Sequence, residues 1–244
     1  MKLFTLGTSH GATEQNRACS ANLIQVNGAY YLFDCGGDVE CKIKNLGIPF
    51  DDIRAVFISH MHEDHVCTLS SIVKRFYHYN TTDNHVIIHM PEQQGIDAFK
   101  KWLDAMHTDT SSGKVEYKLV EVGDVYSDEN ITVTAIATKH LQHVFSPSYA
   151  FVVKTSDKNF LYTGDLSGSF SDYPEIAFQE NFDAILCELV HFNIKKNLDT
   201  IIKSKTKKII FTHVSPRKVL EVEGFIDKFP YDVDIAEDCK IYEI

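Results

Sequence analysis

The stretch FISHMHEDHVCT, Phe57 to Thr68, concentrates three histidines, one aspartate and one glutamate between His60 and His65. Neutral imidazole and carboxylate oxygen are the donors that suit zinc, with manganese and iron held less selectively. The segment opens on a β-rich apolar run, AVFIS, and passes into HVCTLSSIVKRFYHY, whose apolar spacing predicts a helix. The cluster therefore falls at a strand-to-helix turn, where loops held by a rigid scaffold tend to carry sites. An ordinary helix N-terminus would account for Glu63 and Asp64, which complement the helix dipole. It gives no reason for several imidazoles side by side. On the metal reading, His60 and His62 converge on one ion and leave Asp64 and His65 for a neighbour about 3.5–4 Å away.

One turn cannot complete two coordination shells, so further ligands are required from later in the chain. ITVTAIATKH ends in His140, NFLYTGD in Asp165 and KIIFTH in His213, each at the expected C-terminal end of an apolar strand. Any one of them alone reads as an ordinary strand-end residue; their shared placement does not. His143 lies close enough to His140 to be the alternative ligand, although His140 terminates the strand directly.

The frame around these residues is that of a globular chain. Its 244 residues are 44% hydrophobic and 24% charged, enough to bury a sizeable core. No repeat, low-complexity tract or Pro/Ser-rich linker interrupts it, and one domain over 1–244 is expected. Lys plus Arg number 24 against 34 acids, and the net charge of −10 offers no basic footprint for long nucleic acid or an anionic membrane. The expected partner is a small molecule. Six cysteines without a C-x-x-C pair read as reduced thiols, mostly in the core, and a cytoplasmic location is expected. ANLIQV and AYYLFD flank Asn27-Gly28, a strong hairpin signal. Helices are also expected in PEQQGIDAFKKWLDAM, in NLDTIIKSK and after Pro216. Strand-rich halves with interleaved helices suggest an α/β fold of two packed sheets covered by helices, in αββα order.

With HMHEDH (His60 to His65), TKH (Thr138 to His140), TGD (ending in Asp165) and THVS (Thr212 to Ser215), the chain resembles the metallo-β-lactamase-fold hydrolase superfamily across its whole length. The resemblance implies the four-layer αββα sandwich. It also implies a first metal on His60, His62 and His140, a second on Asp64, His65 and His213, and Asp165 bridging them. The di-iron oxygen-reductase branch places a glutamate where this chain has His62, and exported β-lactamases of the fold often lack the bridging acid. Relatives that process tRNA 3′ ends carry a long substrate arm between the third histidine and the bridging aspartate. Here that interval is 165 − 140 = 25 residues, too short for such an arm.

The implied chemistry is hydrolysis by a metal-bound hydroxide, with Asp64 or Asp165 orienting it and taking its proton. Two divalent ions, zinc first and manganese or iron otherwise, are the implied cofactors. The preferred substrate is a small phosphodiester, cyclic ones included. A lactone or thioester is the runner-up, and a non-catalytic metal-dependent binding protein is the rival of another class. Around the centre, Glu188 and His191 in CELVHF are candidates for an acid or relay, and Asp34 for bracing a ligand. Glu63 is expected to face away. His10 is expected on the surface, and His78, His85, His89 and His107 are expected to be structural or solvated. The aromatic groups Phe76 to Tyr79 and Phe145 to Phe151 read as core, with the wall of a pocket as the alternative.

Overall fold

The computed structural model describes residues 1–244. The first sheet is built from β1 (Lys2–Gly7), β2 (Ala21–Val26), β3 (Ala29–Phe33), β4 (Ile53–Phe57), β5 (Val86–Met90) and β6 (Val115–Leu119). The second contains β7 (Gly123–Ser127), β8 (Thr132–Ala137), β9 (Tyr149–Lys154), β10 (Asn159–Tyr162), β11 (Ala184–Glu188), β12 (Lys208–Thr212) and β13 (Asp232–Ile235). The last strand, β14 (Lys240–Glu243), returns to the first sheet, giving orders β14-β1-β2-β3-β4-β5-β6 and β13-β12-β11-β10-β9-β8-β7. Both sheets are mixed. β3 to β6 run parallel, as do β10 to β13, and the remaining pairs are antiparallel, sequence neighbours except for β1 with β14.

The central strands read as nearly continuous apolar runs because both faces are buried, whereas the edge strands β6, β7, β13 and β14 are more polar and more exposed. Side chains alternate between two cores with the period of the pleat. In β3, Tyr30 and Leu32 face one core while Tyr31 and Phe33 face the other. In β9, Tyr149, Phe151 and Val153 join the inter-sheet core, and Ala150 and Val152 point outward beneath helices. The outer face of the first sheet is covered by α1 (Val39–Asn45), α3 (Leu69–His78) and α4 (Gln93–Ala105), through residues such as Ile43, Val73 and Phe99. The short α2 (Glu63–Val66) sits at the sheet edge. The outer face of the second sheet lies beneath α5 (Ile176–Gln179), α6 (Ile194–Ile201) and α7 (Pro216–Glu223), through Ala177, Leu198 and Val222. Two sheets packed face to face between helical layers form the expected αββα sandwich.

Asn27 and Gly28 make the β2–β3 hairpin with φ of 50° and 85°, the two positive values that a tight primed turn demands. Other expectations are corrected. The helix read from His65 to Tyr79 is broken at Cys67–Thr68, because Thr68 N–H and Oγ1 both donate to Cys35 O, at 3.0 Å each. Only Cys19, Cys35 and Cys187 are buried; Cys41, Cys67 and Cys239 are exposed, so half of the thiols lie outside the core. Phe76 and Phe151 are core residues as expected, but Tyr79 is 54% exposed and Phe145 is 97% exposed. No helix is long and apolar enough to cross a membrane.

The parallel strands deliver their C-terminal ends to one edge of the sandwich. Asp34 follows β3, His60 follows β4, Asp165 follows β10, Glu188 ends β11 and His213 follows β12. His140 stands three residues beyond Ala137, the last residue of β8, the same offset as His60 from β4 and Asp165 from β10; Thr138 carries the β8–β9 pairing one step further through its N–H to Ser148 O at 2.8 Å and its Oγ1 to Ser148 Oγ at 2.6 Å. His140 therefore stands on the loop that follows.

Candidate metal centre

Close backbone approach shapes the turn that carries the cluster. Asp64 O packs against Gly36, where a Cβ would lie 1.8 Å from it. Gly164, at φ +54°, brings Asp165 inward, and a Cβ there would lie 2.4 Å from Tyr149 O. His213 is itself left-handed, at φ 52°, a conformation uncommon outside glycine and found disproportionately at functional sites.

The side chains then converge. Donor atoms of His60, His62, His140 and Asp165 all lie within 4.8 Å of one another, as do those of Asp64, His65 and His213, and those of Asp165, His191 and His213. His62 Nδ1 is 3.1 Å from His60 Nε2 and 3.2 Å from His140 Nε2, and His65 Nε2 is 3.4 Å from His213 Nε2. Nitrogens held about 2.0–2.1 Å from a tetrahedral zinc stand roughly 3.3–3.4 Å apart, so these separations match the edges of such a site. Asp165 Oδ2 joins the groups, at 3.7 Å from His60 and His140 Nε2, 3.4 Å from His65 Nε2 and 3.8 Å from His213 Nε2. Asp64 Oδ2 is 3.1 Å from His213 Nε2 and 3.4 Å from His65 Nε2.

Hydrogen bonds behind the cluster set which nitrogen faces it. His65 Nδ1 donates to Asp34 Oδ2 at 2.8 Å. Ser59 Oγ donates to the same oxygen at 2.8 Å, and so accepts from His60 Nδ1 at 3.0 Å. Tyr162 OH and Ser59 N–H complete the shell of this fully buried carboxylate at 2.6 and 2.7 Å. His140 Nδ1 points to Leu166 O at 3.4 Å. With the outer nitrogens committed as donors, Nε2 of His60, His65 and His140 presents a lone pair inward. Asp165 Oδ1 and His213 Nδ1 are buried without any hydrogen-bond partner.

Electrostatics agree with a cation sink. Burial alone would raise the Asp165 carboxyl, but His213 and His65 outweigh it and hold it well below the carboxylate range. Asp64 is lowered likewise, burial being overcome by His213 and His65. Burial and the neighbouring His65 push His60 down. His65 itself rises, against its burial, because Asp165 and Asp34 demand positive charge. A divalent cation meets the same demand. The donor set thus fits divalent metal.

Glu188, fully buried, accepts from the N–H groups of Leu166 (3.0 Å), Val190 (2.7 Å) and His191 (3.0 Å), and from His191 Nδ1 at 3.0 Å. His191 Nδ1 is also 3.7 Å from Asp165 Oδ2. Burial opposes its protonation, yet Glu188 and Asp165 raise its pKa to about 9. Glu63 is exposed, as expected. His143 lies outside the donor groups; with Lys139, Gln142, Ser167 and His191 it lines an open cavity of about 570 Å³ that has no apolar side chain. His10 pairs with Glu14 at 3.0 Å, while its neighbour Gly11 approaches Asp64, a Cβ there lying 3.8 Å from Oδ2.

Three contributors were not singled out in the sequence. Ser59 adjoins the motif, but its link between His60 and Asp34 has no sequence signature. Tyr162 reads as a core aromatic. Asp172 accepts from Lys139 N–H (2.6 Å) and from Ser167 N–H and Oγ (2.9 and 2.6 Å), pinning the two loops of the mouth together across 33 residues of sequence.

Two helix-flanked sheets with this histidine–aspartate cluster at one edge make the protein a member of the metallo-β-lactamase fold superfamily. Residues 1–224 match the family model described as anti-Pycsar protein Apyc1, and the chain belongs to that family. It is similar to ribonuclease Z of Shouchella clausii (strain KSM-K16), at 27% identity over 163 residues, 65% of this chain and 49% of that one. The chain thus spans about half the length of such curated relatives. Its fold is shared with the short form of human tRNase Z, at TM-score 0.80 and 19% identity over 100% of this chain and 99% of that one. It is shared equally with YhfI of Bacillus subtilis, at TM-score 0.78 and 21% identity over 99% of each chain.

Proposed function

We propose that the chain, acting as one unit over 1–244, is a metal-dependent hydrolase of a small phosphodiester, cyclic ones included. The observation that carries this reading is the convergence of two donor groups on Asp165 beneath a mouth lined only by polar side chains. His60, His62 and His140 would hold one divalent ion and Asp64, His65 and His213 the other, with Asp165 between them; zinc suits this donor set best. Bound cations supply a lowered pKa for a coordinated water and polarise the phosphoryl oxygen.

The chain's own groups supply the rest. Asp165 Oδ1, free of hydrogen bonds, can accept a proton from the attacking water, and Asp64 can orient that water. His191, held protonated by Glu188, is placed to give a proton to the leaving oxygen. Lys139 and the Ser167 hydroxyl offer charge and donors to an anionic substrate at the mouth. A lactone or thioester would leave these cationic and hydroxyl groups unmatched, which favours phosphate. The interval between His140 and Asp165 is taken up by β9 and β10, which leaves a small substrate as the natural occupant. Six free thiols suit a cytoplasmic setting.

The test is turnover by chain reconstituted with zinc or manganese on bis(4-nitrophenyl) phosphate, a simple lactone and a thioester. Hydrolysis of the phosphodiester well above the other two is expected. Preference for either carbonyl substrate would redirect the assignment, and metal uptake without turnover of any of them would favour a binding protein.

A further inference from the structure

The loop between His140 and Ser148 departs from ordinary rules twice at one residue. Phe145 is 97% exposed, so nearly its whole apolar ring faces water. It is also left-handed, at φ 58°, a conformation that a bulky side chain adopts only at a cost. The loop around it is not loose. Leu141 is 4% exposed and anchors one side, Ser148 is 2% exposed and tied to Thr138 on the other, and Phe145 N–H and Ser146 N–H bond back to Gln142 O and Leu141 O at 3.2 and 3.3 Å. A hydrogen-bonded loop thus presents an apolar ring to solvent, next to a half-exposed Val144.

Its neighbours show where the loop stands. Gln142 and His143, within three residues of it, line the mouth over the candidate metal centre, and no apolar residue lines that mouth. A substrate whose phosphate lies at the centre finds charge and a hydroxyl inside, and the loop that supplies Gln142 and His143 to the mouth also carries the exposed Phe145. Phenylalanine has no polar handle, so it can recognise a π face but not a hydrogen-bonding edge.

We propose that Phe145 is a specificity-determining residue that packs against a planar aromatic group carried by the phosphate substrate and projecting from the mouth. This rests on the phosphodiester reading above. Stacking of a base on an aromatic side chain is worth about five- to a hundredfold in affinity.

The experiment compares equilibrium binding of adenosine 5′-monophosphate and ribose 5-phosphate to zinc-loaded full chain by calorimetry. Wild type should prefer the nucleotide by roughly tenfold. Phe145→Ala should abolish that preference while leaving ribose 5-phosphate affinity unchanged, and Phe145→Tyr should restore it. No preference in wild type, or an undiminished preference in Phe145→Ala, overturns the proposal. A change in oligomeric mass of Phe145→Ala by light scattering also overturns it, assigning the ring to contact between copies. Turnover of bis(4-nitrophenyl) phosphate is followed in parallel. A binding preference lost in Phe145→Ala together with no turnover by wild type would fault the hydrolase reading and leave Phe145 as the recognition residue.

Discussion

Asp34 Oδ2 lies 2.8 Å from His65 Nδ1, so a carboxylate 31 residues upstream fixes the ring that faces the second donor group. Asp34 is left-handed, at φ 61°, which asparagine tolerates and alanine does not. Asp34→Asn should therefore keep the fold while weakening metal affinity about 10–100-fold, since the amide is a poorer acceptor behind the ligand. Competition with a chromogenic chelator measures this. Affinity within twofold of wild type would remove Asp34 from the site.

The contrast between His140 and His143 separates a ligand from a rim residue. His140→Ala should lose one metal equivalent and lower turnover by ~10²-fold or more, whereas His143→Ala should retain both equivalents. Metal counting on the two variants decides between them, and the reverse pattern would show the loop to be used the other way round.

Much of this centre was readable because its chemistry is dense. His60 to His65 holds five ligand-type side chains in six residues, and Asp165 and His213 close apolar runs that fold as strands. Asp34 could be suspected from its place after β3. His140 follows its strand at the same three-residue offset as His60 and Asp165, so the strand-end pattern is sufficient to find it. The break after Val66 was hidden, because Thr68 turns its N–H to Cys35, a contact made only in three dimensions. Phe145 and Phe151 look alike in the sequence; the pleat of β9 buries one, and the loop before it exposes the other.

Glu188 and His191 should matter most when the leaving group is poor. His191→Ala should cost about 10²-fold on a dialkyl phosphodiester, whose alkoxide must be protonated as it leaves, and little on bis(4-nitrophenyl) phosphate, whose leaving group needs no proton. Equal losses on both substrates would mean that His191 acts through the metal centre.

His89 is a stability determinant away from the site. It is 1% exposed, stacks on Phe57 at 4.8 Å, and both ring nitrogens lack partners. Burial, with a smaller contribution from Lys118, lowers its pKa to about 4. The unfolded chain takes up this proton near pH 6.5 and the folded chain only near 4, so stability falls as pH drops through that window, by about 3 kcal/mol for this group. His89→Phe should keep the stack and flatten that decline in urea denaturation at pH 7, 6 and 5. A decline as steep as that of wild type would acquit His89.

The central claim is that one chain binds two divalent cations through donor groups that meet at Asp165. Chelated protein reconstituted with excess zinc, freed of unbound metal and analysed by inductively coupled plasma mass spectrometry, tests it most directly. Close to two equivalents per chain are expected; folded protein that retains no zinc would contradict the account.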